Sequence, residues 1–334
     1  MKKVGIIVLI IVLMILVISF MKVLVFAIHN NNWNWFLSFG SGKELRKNEY
    51  IRKEESIDLT DIEKIELEFK SSDLNVHFTE DSKMRVVQYS TKELNKDELF
   101  KVNNSSSTIN ISEKDKIYFF YIGFIDQKAY DVYIPKEYEK SLKISLVSGD
   151  IEADESLRFE DLTISSTSGY IKMGDIEAKS IGIETISGDI KLQNLKEDNL
   201  KLKTTSGDIL VESIEGEINL KTISGDITIN NAIGKIEAKT TSGKIEIGKI
   251  EGSIDMQSVS GNIKSDDFKI IGNSNIKTTS GDVKMYLNEE SNCEIFTDTV
   301  SGNVTLPSKS KVMGHEPYAD LKIKTTSGNI RLEE

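Results

Sequence analysis

From residue 140 to the C-terminus, apolar and polar positions alternate in short runs, and the runs recur at a nearly constant spacing. Each run is organised around a Ser-Gly pair with isoleucine or valine two residues after the glycine. The glycines are Gly149, Gly169, Gly188, Gly207, Gly225, Gly243, Gly261, Gly281, Gly302 and Gly328, at intervals of 20, 19, 19, 18, 18, 18, 20, 21 and 26. Aligned on the glycine, the column two residues later runs from Ile151, Ile171 and Ile190 to Val304 and Ile330. The column four residues later holds Met173, Leu192, Val211, Ile229, Ile247, Met285, Leu306 and Leu332. Between them stand polar residues such as Glu152, Lys172, Lys191 and Glu246. Alternation with a period of two marks a strand with one buried and one solvated face. A second strand precedes each glycine. Its inward columns include Leu142, Leu162, Ile181, Leu200, Ile218 and Ile236, then Ile144, Ile164, Ile183, Leu202 and Leu220, with Lys143, Lys201 and Glu237 turned outward.

Gly216, Gly234 and Gly252 each lie nine residues after a motif glycine, and isoleucine again follows two residues later. The coil therefore consists of two similar half-turns. A repeat this short cannot bury its apolar face without a neighbour. The pattern predicts an all-β fold: a single-chain parallel β-helix, or β-solenoid, with one coil per repeat. The six-residue period of a left-handed triangular helix is absent, and parallel crossovers are right-handed in the large majority of cases, so a right-handed winding is expected. Residues 140–334 form the regular array.

One column alternates strictly. Two residues before the glycines stand Val147, Thr167, Ile186, Thr205, Ile223, Thr241, Val259, Thr279, Val300 and Thr326. Either a two-coil unit was duplicated or packing alternates large and small groups.

Upstream, residues 57–139 carry shorter alternating runs at 65–69, 74–78, 84–88, 108–112, 117–121 and 130–134, with a loop at 103–107. They are expected to form irregular leading coils that cap the open strand edge of the array. Residues 30–56 read as a polar juxtamembrane linker. Residues 1–29 hold an apolar run over 4–21, extended past Lys22 by 23–28, long enough to span a membrane as a helix. Trp33, Trp35, Phe36 and Phe39 read as an interfacial aromatic belt. A cleaved signal peptide with a cut after Ala27 is the competing reading, but the run exceeds the usual length of such segments. Lys2 and Lys3 abut the span, whereas Lys43, Arg46 and Lys47 lie farther off. This places the N-terminus inside and the C-terminal body outside a single-pass cell-membrane anchor.

The net charge is −11, and residues 1–28 contain three lysines and no acid, so the remainder is more acidic still. Such a body does not suit nucleic-acid binding, which needs clustered Lys and Arg. The single cysteine, Cys293, rules out an internal disulfide and reads as a small buried filler. His29, His77 and His315 share no metal-ligand spacing. His315 lies in the one conspicuous insertion, 307–319, which either caps the rod or carries function.

The residue after the glycine is Asp150, Asp189, Asp208, Asp226 or Asp282, or Asn262, Asn303 or Asn329, while Tyr170 and Lys244 break the column. Stacked carboxylates could share a calcium ion. Against this, Lys244 would put an ammonium inside the column. The ten glycines instead read as structural turn residues that take φ > 0 freely, flanked by Asp and Asn, which tolerate it best. No catalytic, cofactor-binding or metal residue is assigned.

The strings SGDI, TTSGDI and TTSGNI, with the lead-in VYIP at 132–135 and KISLVSGD at 143–150, resemble a bacterial β-strand-repeat family known as "putative adhesins", over residues 60–334. That resemblance implies a β-solenoid found in envelope proteins with a membrane segment. Three functional readings follow. The first is a non-enzymatic, membrane-anchored, surface-exposed scaffold that binds cell-wall polymer, an envelope protein or another cell. The second is an accessory of envelope-stress sensing acting through a membrane partner. The third is a glycan-active β-helix enzyme, for which the outward charges lack a clustered set of acids and aromatics.

Overall fold

The computed structural model describes residues 50–91, 93–113, 128–153, 156–307, 312–313, 315 and 318–334. The chain divides into Met1–Glu49 and Tyr50–Glu334, and the described residues belong to the second unit. The expected anchor at 1–29, the linker up to residue 49, the strand expected at 117–121 and His29 lie outside the described residues. Among the described residues no helix is long and apolar enough to cross a membrane.

Among the described residues every regular element is a strand. Successive coils pair in parallel, like residue on like residue. Ile151, Ile171, Ile190, Ile209, Ile227, Ile245, Ile263 and Val283 form one inward column after the corner. Leu142, Leu162, Ile181, Leu200, Ile218, Ile236 and Ile254 form another before it. All of these side chains are buried in one continuous core. Burying each contributes about 1.5–3 kcal/mol before chain ordering is counted. A β-branched side chain suits this placement, because it fills the pleat and meets its own kind one coil away. Through the middle of the array the two half-coils merge into long strands, Ile190–Lys203, Ile209–Lys221, Ile227–Ser242 and Ile245–Ser260.

The array begins earlier than the glycine motif indicates. Lys64–Ser71 pairs in parallel with Ser141–Ser148, and Leu74 aligns with Ile151. Residues 64–79 are therefore a regular coil whose corner carries Ser72 in place of glycine. The excursion from residue 80 to 140 is the cap. Met84–Ser90 runs antiparallel to both Tyr50–Ile57 and Lys128–Pro135, and Lys101–Ser105 forms a hairpin with Thr108–Ser112. Residues 50–56, polar enough to read as linker, belong to the strand Tyr50–Ile57 of that cap, and 103–105, expected as loop, belong to the hairpin. The cap carries a buried polar knot. Glu113 accepts hydrogen bonds from the Lys70 N–H at 3.1 Å, the Ser72 hydroxyl at 3.2 Å and the Tyr130 hydroxyl at 2.7 Å. Its carboxylate stands where a further coil would offer backbone acceptors.

At the other end the coils leave chain order. Ala319–Ser327 pairs on one side with Ser274–Ser280 and on the other with Cys293–Ser301. Ile330–Glu333 likewise lies between Val283–Leu287 and Val304–Thr305. The last coil of the sequence is thus the penultimate coil of the rod, and the coil of Gly302 is outermost. The interval of 26 between Gly302 and Gly328 separates these two coils in the sequence. Val312–Met313 pairs antiparallel with the start of the outermost strand, at Glu294 and Cys293.

Candidate functional site

The repeated motif converges on one corner of the coil, where three stacked ladders meet. The first is made of glycines. A Cβ on Gly169 would lie 2.0 Å from the carbonyl oxygen of Gly149, and one on Gly225 would lie 1.9 Å from that of Gly207. No side chain fits at such distances. The expectation that φ > 0 explains the column holds only for Gly149, Gly169, Gly302 and Gly328 among the ten, whose φ values are 123°, 122°, 155° and 158°. What the whole column has in common is close approach to the backbone of the neighbouring coil. Beneath Ser72 the strands Thr108–Ser112 and Lys128–Pro135 pair with either side of the corner, and the corner residue itself meets the Glu113 carboxylate, to which its hydroxyl donates.

The second ladder is made of hydroxyls three residues before the glycine. Thr204 donates to Gly188 O at 3.2 Å, Thr222 to Gly207 O at 3.2 Å, Thr240 to Gly225 O at 3.1 Å and Ser258 to Gly243 O at 3.1 Å. Thr278, Thr325 and Thr299 continue the series to the outer end. These side chains are mostly buried, so each hydroxyl satisfies a carbonyl that the tight corner removes from the sheet. The sequence reading passed over this column, although nine of the ten repeats carry Ser or Thr there. Thr222→Val keeps the shape and removes the donor. It is expected to cost about 1 kcal/mol, read as a shift in the urea midpoint at constant slope.

The third ladder is the Asp/Asn column. The Asp208 N–H donates to Asp189 Oδ1 at 2.9 Å, the Asp226 N–H to Asp208 Oδ1 at 2.8 Å and the Lys244 N–H to Asp226 Oδ1 at 2.9 Å. The same contact joins Tyr170 to Asp150, Asp282 to Asn262, and Asn329 to Asp282. One oxygen of each side chain therefore completes the backbone of the next coil. That duty needs an acceptor and no charge, which explains why Asn serves as well as Asp. Among the described residues, no three His, Cys, Asp or Glu side chains are grouped to hold a metal ion.

The remaining candidates are dispersed. His77 lies on the first regular coil and faces the cap, stacked on Tyr133 at 4.9 Å, with Nε2 3.9 Å from Asp131. Burial pushes the Asp131 carboxyl up, but hydrogen bonds from His77, Asn75 and Tyr89 outweigh it and hold the group below the usual carboxylate range. Arg85 covers Tyr133, with its guanidinium 3.9 Å from the ring centroid, so this is a cross-strand ladder closed on itself. His315 is exposed, and its N–H donates to Asn292. Cys293 is fully buried, and burial pushes its thiol up to about 11. In the folded chain at pH 8 its alkylation is expected to be at least about a hundredfold slower than in urea, as mass spectrometry of timed samples would measure.

A cleft of ≈ 780 Å³ reaches Gly216 and is lined by Arg158, Glu160, Glu177, Lys179, Lys196 and Glu215, among others. Its charges pair across coils, Arg158 with Glu177 at 2.8 Å and Lys179 with Glu160 at 2.6 Å. Pairs of this exposure are worth about 0–1 kcal/mol. They keep the face solvated and present no isolated acid–base couple.

The geometry fits a known repeat family, whose model matches residues 62–247 and again 232–333. The chain belongs to the Toastrack DUF4097 family. Several solved structures are similar to this Toastrack chain. One is described as a "putative adhesin" from Parabacteroides distasonis, at 14% identity and TM-score 0.49, covering 70% of this chain and 96% of that one. A second "putative adhesin", from Parabacteroides merdae, shows 15% identity and TM-score 0.42 and covers 86% and 97%. A "putative cell adhesion protein" from Clostridium sporogenes shows 11% identity and TM-score 0.32 and covers 84% and 97%. No curated protein matches the chain.

Proposed function

We propose that this Toastrack chain is a non-enzymatic, right-handed β-solenoid scaffold displayed on the outer side of the bacterial membrane. There its faces bind a wall polymer, an envelope protein or another cell in an adhesin-like manner. One observation carries the reading. The repeated Ser-Gly-Asp motif, the part of the sequence most suggestive of chemistry, is absorbed by three ladders that join coil to coil. What is left facing solvent is a long, regular surface, suited to recognition over an extended area. The apolar run at 4–21 would fix the rod to the membrane by its N-terminus.

Protease shaving of intact cells tests this reading. A tag after Glu334 should be released from whole cells while a cytoplasmic control survives. Release only after lysis would overturn it.

A further inference from the structure

We infer that the column two residues before the corner glycines is a self-complementary docking face for a second copy of this chain. The inference deepens the proposed interaction role and rests on it, with the partner now named. Val147, Ile186, Ile223 and Val259 are large aliphatic side chains held 51%, 57%, 52% and 49% exposed. On the coils between them stand Thr167, Thr205, Thr241 and Thr279, exposed or half-exposed. Parallel pairing on either side aligns Val147, Thr167 and Ile186, and likewise Thr241, Val259 and Thr279. Between them the N–H groups of Ser206, Ser224 and Ser242 donate to the carbonyls of Ile186, Thr205 and Ile223, which continues the line. The large side chains therefore recur every second coil, about 9.6 Å apart, with a shallow site over each threonine. Lys70 stands on the coil before Val147. Beyond Thr279 the line continues in space to Thr326 and then Val300, so the strict alternation ends at Thr279.

A regular alternation of large and small groups has one close-packed partner, which is itself shifted by an odd number of coils. A second copy laid antiparallel meets this condition when the two-fold axis crosses the column between Thr205 and Ile223. Val147 then faces Thr279 of the second copy, Ile186 faces its Thr241, Ile223 its Thr205 and Val259 its Thr167. The symmetry repeats each contact, so every large side chain of both copies is seated and the contact closes as a dimer. The strip is about 34 Å long and about 10 Å wide, and its burial removes about 700 Å² in all. Stable complexes bury roughly 1,200 Å² or more, so the dimer is weak and reversible, and favoured where copies are crowded on one surface.

The neighbouring outward column sets the salt dependence. It holds Lys203, Lys221, Lys239 and Lys277 against one acid, Glu184, over the same eight coils. Two such faces repel at low ionic strength, so added salt strengthens the dimer. Binding of the face to an anionic wall polymer would weaken with salt.

Sedimentation velocity on the full chain in a mild non-ionic detergent tests the inference. The weight-average mass should rise toward that of a dimer between roughly 1 μM and 1 mM, and Ile186→Lys with Ile223→Lys should abolish the rise. Thr205→Ile with Thr241→Ile is the sharper variant. It makes the face more apolar yet fills the shallow sites, so dimerisation should weaken by about tenfold or more. Strengthening would mean a merely sticky surface and would overturn the register. Val147→Cys chains mixed with Thr279→Cys chains should form a disulfide-linked pair that neither forms alone, because within one chain the two positions are seven coils apart. A chain that stays monomeric throughout, or stripe variants that lose binding to isolated cell walls with no change in mass, would refute self-association and leave the interaction reading standing. A failed shaving experiment would remove that reading whether or not the chain dimerises.

Discussion

Gly225→Ala is expected to destabilise the solenoid by about 3 kcal/mol or more. A single methyl group has this effect because of what it meets. The added Cβ would lie 1.9 Å from the Gly207 carbonyl oxygen and 2.6 Å from its carbon, with Thr222 Oγ1 at 3.1 Å. The carbonyl cannot turn aside, since it also accepts the Thr222 hydroxyl at 3.2 Å. Opening the corner would lengthen every ladder contact between the two coils. Gly182→Ala supplies the control. Its Cβ would have nothing within 4 Å, and alanine in a strand is favoured over glycine by roughly 0.5–1 kcal/mol. Urea unfolding followed by circular dichroism should therefore show opposite shifts for the two variants. Equal shifts would mean that the corner glycine is a choice of conformation and not of contact.

Ending the chain at Leu306 is expected to disorder two coils, although it deletes only one. Leu321, Ile323, Ile330 and Leu332 are buried between Ile276, Val283 and Met285 on one side and Ile295 on the other. Removing them subtracts about 6–12 kcal/mol of gross burial, and it leaves Cys293–Ser301 without its parallel neighbour. Hydrogen exchange should then show loss of protection over 293–305, with protection kept in Ile245–Ser260. In a rod wound in simple chain order the same cut would remove an end coil and leave 293–305 protected.

Much of the architecture was legible in the sequence, because a solenoid writes its contacts at a fixed period. The columns of Ile151 and Leu142 announce the inward faces, and the structure stacks those residues directly on one another. What escaped was non-periodic or lacked a chemical label. The runs at 65–69 and 74–78 read as part of irregular leading coils, whereas they form a regular coil whose corner carries Ser72 where the motif is defined by glycine. The inserted final coil left a trace, the interval of 26, but an interval states that chain is spare and not where it goes. The threonines at 204, 222 and 240 stood in plain view. Their role depends on a carbonyl one coil away, which no local reading of Thr-Thr-Ser-Gly supplies. The aspartates drew attention as possible cation ligands, whereas their geometry assigns one oxygen to a backbone N–H. Function is less legible for the same reason: the repeats record how the rod stands, and the outward columns vary freely around that need.

Spin-label distances measured from Ser145 test the stacking most directly. Residues 145, 203, 239, 277, 324 and 298 share one outward column, each paired to its neighbours through the intervening coils. At about 4.8 Å per coil, distances from Ser145 should grow to ~14 Å at Lys203, ~24 Å at Lys239 and ~34 Å at Lys277. They should then reach ~38 Å at Lys324 and ~43 Å at Asp298, reversing the chain order. Distances that fail to rise with coil number, or a label at 298 nearer to 145 than one at 324, would contradict the structure.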